Sequence, residues 1–470
     1  MGYVAFSDLN NMLDEHLSDT AVFDGALFNY LKVVQHGLIY WANGFEQKKL
    51  RTPWGKSTTL LKTYYRLRAL RDKRAGQAPM LTSLLVLENG RHMTDAHGKT
   101  GSAYYHHLRR SVDASVQTTL LMRPKSPLRD GCDYVVEDLQ RSLPTLHLSQ
   151  HGEALMLDMQ QVLKQMRASG RFPKDSWVYL TSAFHVFFEQ FLFWDALLAD
   201  RGVETCVFDN HYHNEGLLAA LHLHGVRSIE IQHGLIAEND LYYVYPAYVR
   251  KVRDRALFPT DLCLYGQFWK DVVAKGYERD PERMQVIGDY TYLGGQPLPT
   301  TEHKQNAVFI TAQKNMGDAY IPYLEGLATL LAEKHPKWKL WVKLHPLEKE
   351  PERYQALQGV TVYGNEANLL ELLAQSRIHI SIYSTTFFDA IGLDTLNLSL
   401  QDYSSSADYA REIVDNGVAL PLAANADPVE VYERTSIADT AFGDRNRFYQ
   451  PFDPEAFRAV LAGKTETPTP

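Results

Sequence analysis

The sequence predicts an α/β protein of two Rossmann-type domains, with a helical N-terminal region. Three observations carry that prediction. Short apolar runs alternate with helical stretches from about residue 203 to residue 400, the pattern of parallel strands covered by helices on both faces. Polar residues and glycines recur where those runs stop, at the edge where open α/β sheets bind ligands. A stretch rich in Pro, Gly, Gln and Thr, residues 294–306, interrupts the alternation and marks a domain boundary.

Taken in order, residues 1–75 read as mainly helical, with apolar residues at mixed three and four spacing. Ser83–Leu87 and Thr118–Met122 are strand candidates, residues 150–168 a helix, and Trp177–Leu180 a further strand. Thr205–Phe208 is a short buried strand, followed by the polar loop Asp209–His213 and a helix from Asn214 to His224 that stops at Gly225. Arg227–Ile231, Leu262–Tyr265 and Gln285–Ile287 are the next strands. Beyond the boundary, Ala307–Thr311, Lys339–Leu344, Val360–Tyr363, Ile378–Tyr383 and Leu396–Leu400 alternate with helices, the first over residues 319–335. His335-Pro336 ends that helix. Asp453-Pro454 starts a capped one. The expected domains are 1–295, 305–435 and a helical tail, 436–470. Two such α/β domains facing across a cleft make a GT-B-like architecture.

Composition narrows the function. Among 470 residues the net charge is −8, which excludes a nucleic-acid binder by bulk electrostatics. The three cysteines, Cys132, Cys206 and Cys263, have neither metal spacing nor a disulfide framework. The apolar run Phe184–Ala199 is broken by His185, Glu189 and Asp195, so it does not read as a membrane span. Asp8, Asp14 and Glu15 stand where a secretory signal needs apolar residues. The expectation is a cytoplasmic protein. One segment departs from the average: from Glu46 to Arg74 there are ten Lys or Arg against Glu46 and Asp72 alone, beside an apolar face at helical spacing. Such a basic amphipathic helix lies on an anionic membrane surface or packs on its own domain; the former would place the protein at the cytoplasmic face of the inner membrane.

The chemistry-bearing residues follow strands. In the first domain Asp209 ends one strand and Gln232-His233-Gly234 follows the next, with Gly234 permitting close backbone approach to a ligand. Asp209 and Glu215 are the nearest carboxylates able to remove a proton from a hydroxyl, although Glu215 also suits the first turn of its helix. His211 and His213 beside Asp209 form no complete metal site and read as a polar lining. In the second domain Lys343-Leu344-His345-Pro346 offers a cation and an imidazole for a phosphate. Ser384, Thr385 and Thr386 precede an apolar helix, whose start suits an anion or a plain N-cap. Gln313 and Lys314 are further donors. The Gln-His-Gly-Leu-Ile sequence also occurs at Gln35–Ile39, in helical surroundings, and reads there as coincidence. There is no Asp-x-Asp pair, dinucleotide fingerprint or P-loop.

Gln232-His233-Gly234, Lys343-Leu344-His345-Pro346 and Tyr383-Ser384-Thr385-Thr386 resemble motifs of bacterial surface-polysaccharide transferases. That group comprises capsule Kdo transferases, bacterial sialyl- and polysialyltransferases, and teichoic-acid glycerophosphotransferases. The resemblance covers roughly residues 203–420. It implies a GT-B fold, no cofactor and no metal, and a cytidine-nucleotide donor in the C-terminal domain, with the N-terminal domain on the acceptor side. His345 and Ser384–Thr386 would contact the donor phosphate, and His233 would lie near the reacting centre. The short acidic motif of the sialyltransferases is approached only by Asn214-Glu215-Gly216, with Asn in its first place. The implied function is transfer of Kdo or a nonulosonic acid from a CMP-activated donor to a glycan or glycolipid of capsule or lipopolysaccharide. The alternatives are a CDP-glycerol glycerophosphotransferase, a GT-B-fold sugar-nucleotide epimerase, and a silent partner of an assembly complex.

Overall fold

The computed structural model describes residues 6–43, 54, 57–71, 79–88, 92–94, 100–102, 112, 117–122, 133–142, 148–238, 240–252, 254–276, 283–289, 301–313, 316–345, 348, 350–364, 366–391, 393–401, 407–435 and 445–463. They fall into two compact units. One consists of the described residues within Ser7–His233, Asp240–Leu293 and Pro451–Pro470, the other of those within Met1–Phe6, Gly234–Asn239 and Gly294–Gln450.

The first unit carries strands β1 (Leu84–Glu88), β2 (His92–Thr94), β3 (Thr100–Ser102), β4 (Thr118–Met122), β5 (Tyr134–Val135), β6 (Thr205–Phe208), β7 (Arg227–Ile231), β8 (Asp261–Leu264) and β9 (Met284–Val286). β2 and β3 form an antiparallel pair. The other seven, among the described residues, make a parallel sheet in the order β5-β4-β1-β6-β7-β8-β9. The sheet grows in one direction from β1 to β5 and in the other from β6 onward. Its switch point therefore lies between β1 and β6, where open α/β sheets bind ligands beyond the carboxyl ends.

Trp177–Leu180, expected as a strand, is instead the first turn of the helix Trp177–Leu198. Aromatic and β-branched residues at its start mimic a strand, but the burial that follows has the helical period: Leu180, Phe184, Phe187, Phe188, Phe191 and Leu192 are buried while Val178 and Val186 are exposed. Each such aromatic or leucine contributes on the order of 2 kcal/mol on leaving water. Two glycines let neighbouring helices approach this one. A Cβ on Gly37 would lie 3.1 Å from Leu180 Cα, and one on Gly216 would lie 2.5 Å from Phe187 O. The preceding helix, Gln150–Ser169, is capped by Ser149, whose hydroxyl accepts from Gly152 N, and ends at Gly170 with φ 64°.

The second unit carries β10 (Ala307–Thr311), β11 (Lys339–Lys343), β12 (Val360–Tyr363), β13 (Ile378–Ser381), β14 (Leu396–Leu400) and β15 (Leu420–Leu422). They are parallel and ordered β12-β11-β10-β13-β14-β15. This is the dinucleotide-fold order, with its switch point between β10 and β13. β10 and β14 are buried along their whole length, as strands covered on both faces must be. Both sheets are thus parallel and of Rossmann type, as expected.

The stretch expected as one C-terminal tail is shared between the units. Phe448 and Tyr449 pack on Phe388 in the second unit. From Pro451 the chain belongs to the first: Asp453 N donates to Ile287 O, and Arg227 bonds Val460 O and Leu461 O at the end of helix Pro454–Leu461. Asp453 caps that helix as expected. Among the described residues no helix is long and apolar enough to cross a membrane.

Candidate functional site

In the first unit, the carboxyl ends of β6 and β7 gather a buried polar cluster. Its centre is Glu230, which interrupts the apolar strand Ile229-Glu230-Ile231 and is fully buried. A buried carboxylate persists as an ion only if donors surround it, and Glu230 has three. His211 Nδ1 lies 2.5 Å from Glu230 Oε2, His211 N donates to Oε1 at 3.3 Å, and Tyr243 Oη donates to Oε1 at 2.7 Å. Burial alone would raise the pKa of Glu230, but the imidazole of His211, the hydroxyl of Tyr243 and the charge of His233 together hold it below the usual range.

An ionised Glu230 cannot donate, so His211 carries a proton on Nδ1 in this hydrogen bond. Its Nε2 is buried and has no hydrogen-bond partner among the described residues. His233 sits between two phenols: Tyr212 Oη is 3.0 Å from its Nε2 and Tyr243 Oη 3.4 Å from its Nδ1. Tyr212 stacks on Tyr242 with ring centroids 4.6 Å apart.

A second acid–imidazole pair adjoins this one. Glu215, in the first turn of helix Glu215–Leu223, lies 3.9 Å from His36 Nδ1. His36 belongs to the buried helix Leu31–Ala42, and its ring meets that of His213 at 3.7 Å. His213 itself takes a positive φ of 65°, uncommon for a side-chain-bearing residue and frequent at functional loops. Burial opposes ionisation of Glu215, yet His36 and then Lys32 outweigh it and bring the pKa down to about 2. Lys32, wholly buried, has its own pKa lowered to about 8 by desolvation, against the pull of Glu215 and Glu230.

Gln35–Ile39 lies in the helix Leu31–Ala42, and the structure brings His36 of this first Gln-His-Gly copy to Glu215 and His213. Glu230, His36, Tyr212 and Tyr243 were not singled out from the sequence. A glutamate inside an apolar strand was the available signal for Glu230; the repeated pentapeptide was the signal for His36. Asp209 is buried directly after β6, beside this cluster.

In the second unit the carboxyl ends of β10, β11 and β13 carry the expected donor-side residues. Lys343 ends β11, its Nζ bonded to Gly364 O at 2.6 Å, and desolvation lowers its pKa despite Glu366. His345 follows, half-buried, its carbonyl accepting from Glu348 N. Gln313 bridges to the turn after β13: its amide donates to Tyr383 O and its oxygen accepts from Tyr383 N. Pro346 and Lys314 lie outside the described residues.

The hydroxyl run divides. Ser384 Oγ accepts from Thr386 N, whereas Thr386 Oγ1 turns inward, 2.9 Å from Thr311 Oγ1 and 3.3 Å from His379 Nε2. His379, buried in β13, is fixed on its other side by Asn397. The helix expected to start at Ser384 is a single turn, Thr386–Asp389, with Thr385 at its N-cap. An extended helix dipole is therefore not available to an anion there. His335 terminates its helix as expected, and bonds Asp427.

No protein-family model matches the chain, and no curated protein matches it. Solved structures do. UDP-GlcNAc 2-epimerase from Neisseria meningitidis bound to UDP-GlcNAc aligns at 11% identity and TM-score 0.44, covering 81% of this chain and 98% of its own. The S. aureus MnaA–UDP co-structure aligns at 10% identity and TM-score 0.49, covering 83% and 99%. The UDP-GlcNAc 2-epimerase from Methanocaldococcus jannaschii aligns at 10% and 0.46, covering 81% and 99%. At these values the function of the chain has to be argued from its own residues.

Proposed function

We propose that this chain is a glycosyltransferase of bacterial surface-polysaccharide synthesis, taking Kdo or a nonulosonic acid from a CMP-activated donor to a glycan acceptor. The observation that carries the reading is the Glu230–His211 pair at the carboxyl ends of β6 and β7, beside the His233 of the Gln-His-Gly motif. A buried carboxylate that fixes an imidazole tautomer and leaves Nε2 as acceptor is the equipment of a general base. In this reading His211 Nε2 takes the proton of the acceptor hydroxyl, and Glu230 stabilises the imidazolium that results. His233, held by Tyr212 and Tyr243, orients the reacting group. Glu215 acts through His36, since a carboxyl with pKa of about 2 is a weak base. Asp209 is the remaining carboxylate able to assist.

Departure of CMP requires stabilisation of phosphate charge. Lys343, His345 and the hydroxyls of Ser384 and Thr385 are the donors proposed for it, with Gln313 positioning their turn. Lys314 and Pro346 complete this proposed donor side.

The test is thermal shift with CMP, CDP, UDP and GDP on the wild type and on His345→Ala. Native-state binding raises the melting temperature by mass action, about 2.7 kcal/mol at a hundredfold excess over Kd. Stabilisation by CMP that is lost in the variant supports the donor assignment; preference for UDP or GDP overturns it. Turnover of CMP-Kdo, CMP-nonulosonates and CDP-glycerol then separates sugar transfer from glycerophosphate transfer. Donor consumption without acceptor would indicate an epimerase, and no response to any nucleotide a silent partner.

We also propose that the acceptor is met at an anionic membrane surface. Helix Thr58–Arg71 turns Leu61 and Tyr65 inward and leaves Leu60, Tyr64 and Leu67 exposed at i, i+4 and i+7. Lys62 and Arg66 pair with Glu153, and Arg68 with Glu189, so part of its charge is neutralised at home. The other basic residues of 46–74 lie outside the described side chains. Co-sedimentation with phosphatidylglycerol vesicles that falls in Leu60→Ser/Leu67→Ser supports this contact; equal sedimentation of both proteins refutes it.

A further inference from the structure

We propose that His151, Asp195 and His224 form a binding site for a divalent transition-metal ion, zinc by its ligand chemistry. The three residues come from three helices of the first unit. His151 lies in the first turn of Gln150–Ser169, Asp195 near the end of Trp177–Leu198, and His224 caps the end of Glu215–Leu223.

Their ligand atoms converge. His224 Nε2 lies 2.9 Å and His151 Nδ1 3.2 Å from the same oxygen, Asp195 Oδ1, and the three atoms lie within 4.8 Å of one another. Tetrahedral zinc with bonds of 2.0–2.1 Å sets neighbouring ligand atoms about 3.3 Å apart. Inserting an ion therefore asks the two measured separations to open by only a few tenths of an ångström. Two imidazoles and a carboxylate suit zinc and exclude magnesium or calcium, which take oxygen shells.

The surroundings are those of a ligand set. Asp195 is buried, and its other oxygen, Oδ2, accepts from Ser149 Oγ at 2.5 Å, which orients the carboxylate as partners outside a metal's coordination shell do. The His151 side chain is 44% exposed, so an ion can enter and water can take the fourth position. The site is separate from the cluster around Glu230. Helix Glu215–Leu223 carries Glu215 at one end and His224 just past the other, about 13 Å away at 1.5 Å per residue. An ion here would tie together three helices of the first unit.

The experiment uses the full chain stripped with a chelator, titrated with zinc by calorimetry and thermal shift, and with cobalt(II) by visible absorption. Expected are one strong equivalent, a raised melting temperature, and the intense visible bands of four-coordinate cobalt. His151→Ala, on the exposed side, should fold normally and weaken zinc binding about tenfold or more, as should His224→Ala. The chain holds 18 histidines, so the variants decide the location. Zinc affinity unchanged in both, or no zinc stabilisation and no cobalt bands in the wild type, overturns the proposal.

Discussion

His36 Nδ1 and Glu215 Oε1 lie 3.9 Å apart, although one belongs to a helix near the start of the chain and the other to the helix after β6. Both side chains are nearly buried, so the pair exchanges hydration for each other and for Lys32. The result is a carboxyl whose pKa stands at about 2.

That depression has a consequence for acid stability. The folded pKa is below the unfolded one, so the unfolded chain binds more protons between them. The contribution is fully present above about pH 4.5 and is lost as pH falls toward 2, on the order of 3 kcal/mol. Urea midpoints measured from pH 6 to pH 3 should fall less steeply in Glu215→Gln than in the wild type. Parallel curves would show that the pair contributes nothing.

The Glu230–His211 pair predicts a different variant. Glu230→Gln keeps the shape of the side chain but removes the charge that sets the imidazole tautomer. Turnover should drop by about 10²- to 10⁴-fold, the usual range for a general base, with nucleotide-induced thermal stabilisation retained. A variant with turnover near wild type would remove His211 from the mechanism. One that also lost nucleotide binding would give Glu230 a structural role instead.

The contrast between these two pairs shows what the chain reveals unaided. β10 and β14 have the bounds expected from their apolar runs, because a strand buried on both faces leaves a continuous apolar stretch; the edge strand β12 also has its expected bounds, set by its β-branched residues. His233 and His345 were visible because a strand end is itself a sequence feature. Glu230 was hidden inside a strand read as core, and Trp177 began a helix with residues that favour strands. His36 and Glu215 could not be joined at all: periodicity describes neighbours along the chain, whereas their contact depends on how the helix Leu31–Ala42 packs. Thr386 illustrates the converse. Its place after β13 was legible, but its inward turn to Thr311 and His379 was not.

His379 itself gives the second unit a pH signature. Burial lowers its pKa to about 4, against the hydrogen bond with Asn397. The unfolded histidine binds its proton near pH 6.5, so the unfolded state takes up more protons between 6.5 and 4. Stability is therefore complete above pH 6.5 and declines by about 3 kcal/mol as pH falls to 4. His379→Gln should flatten the thermal stability profile across that interval while leaving the limb below pH 4 steep. A profile unchanged in the variant would mean that His379 titrates in the fold as it does in the unfolded chain.

Two glycines separate packing from chemistry. A Cβ at Gly216 would lie 2.5 Å from Phe187 O and 2.8 Å from Phe191 N, both backbone atoms that cannot rotate away. Gly216→Ala should therefore destabilise the first unit by about 1–3 kcal/mol through overpacking. At Gly234, beside His233, an added Cβ meets nothing within 4 Å among the described residues, and the backbone does not take a positive φ. Neither packing nor conformation demands a glycine there, so Gly234→Ala should melt with the wild type. If the residue is absent of side chain to let a ligand approach the backbone, the same variant should raise KM or lower kcat in the transferase assay. Wild-type kinetics in a normally stable Gly234→Ala protein would place the ligand elsewhere than against this glycine.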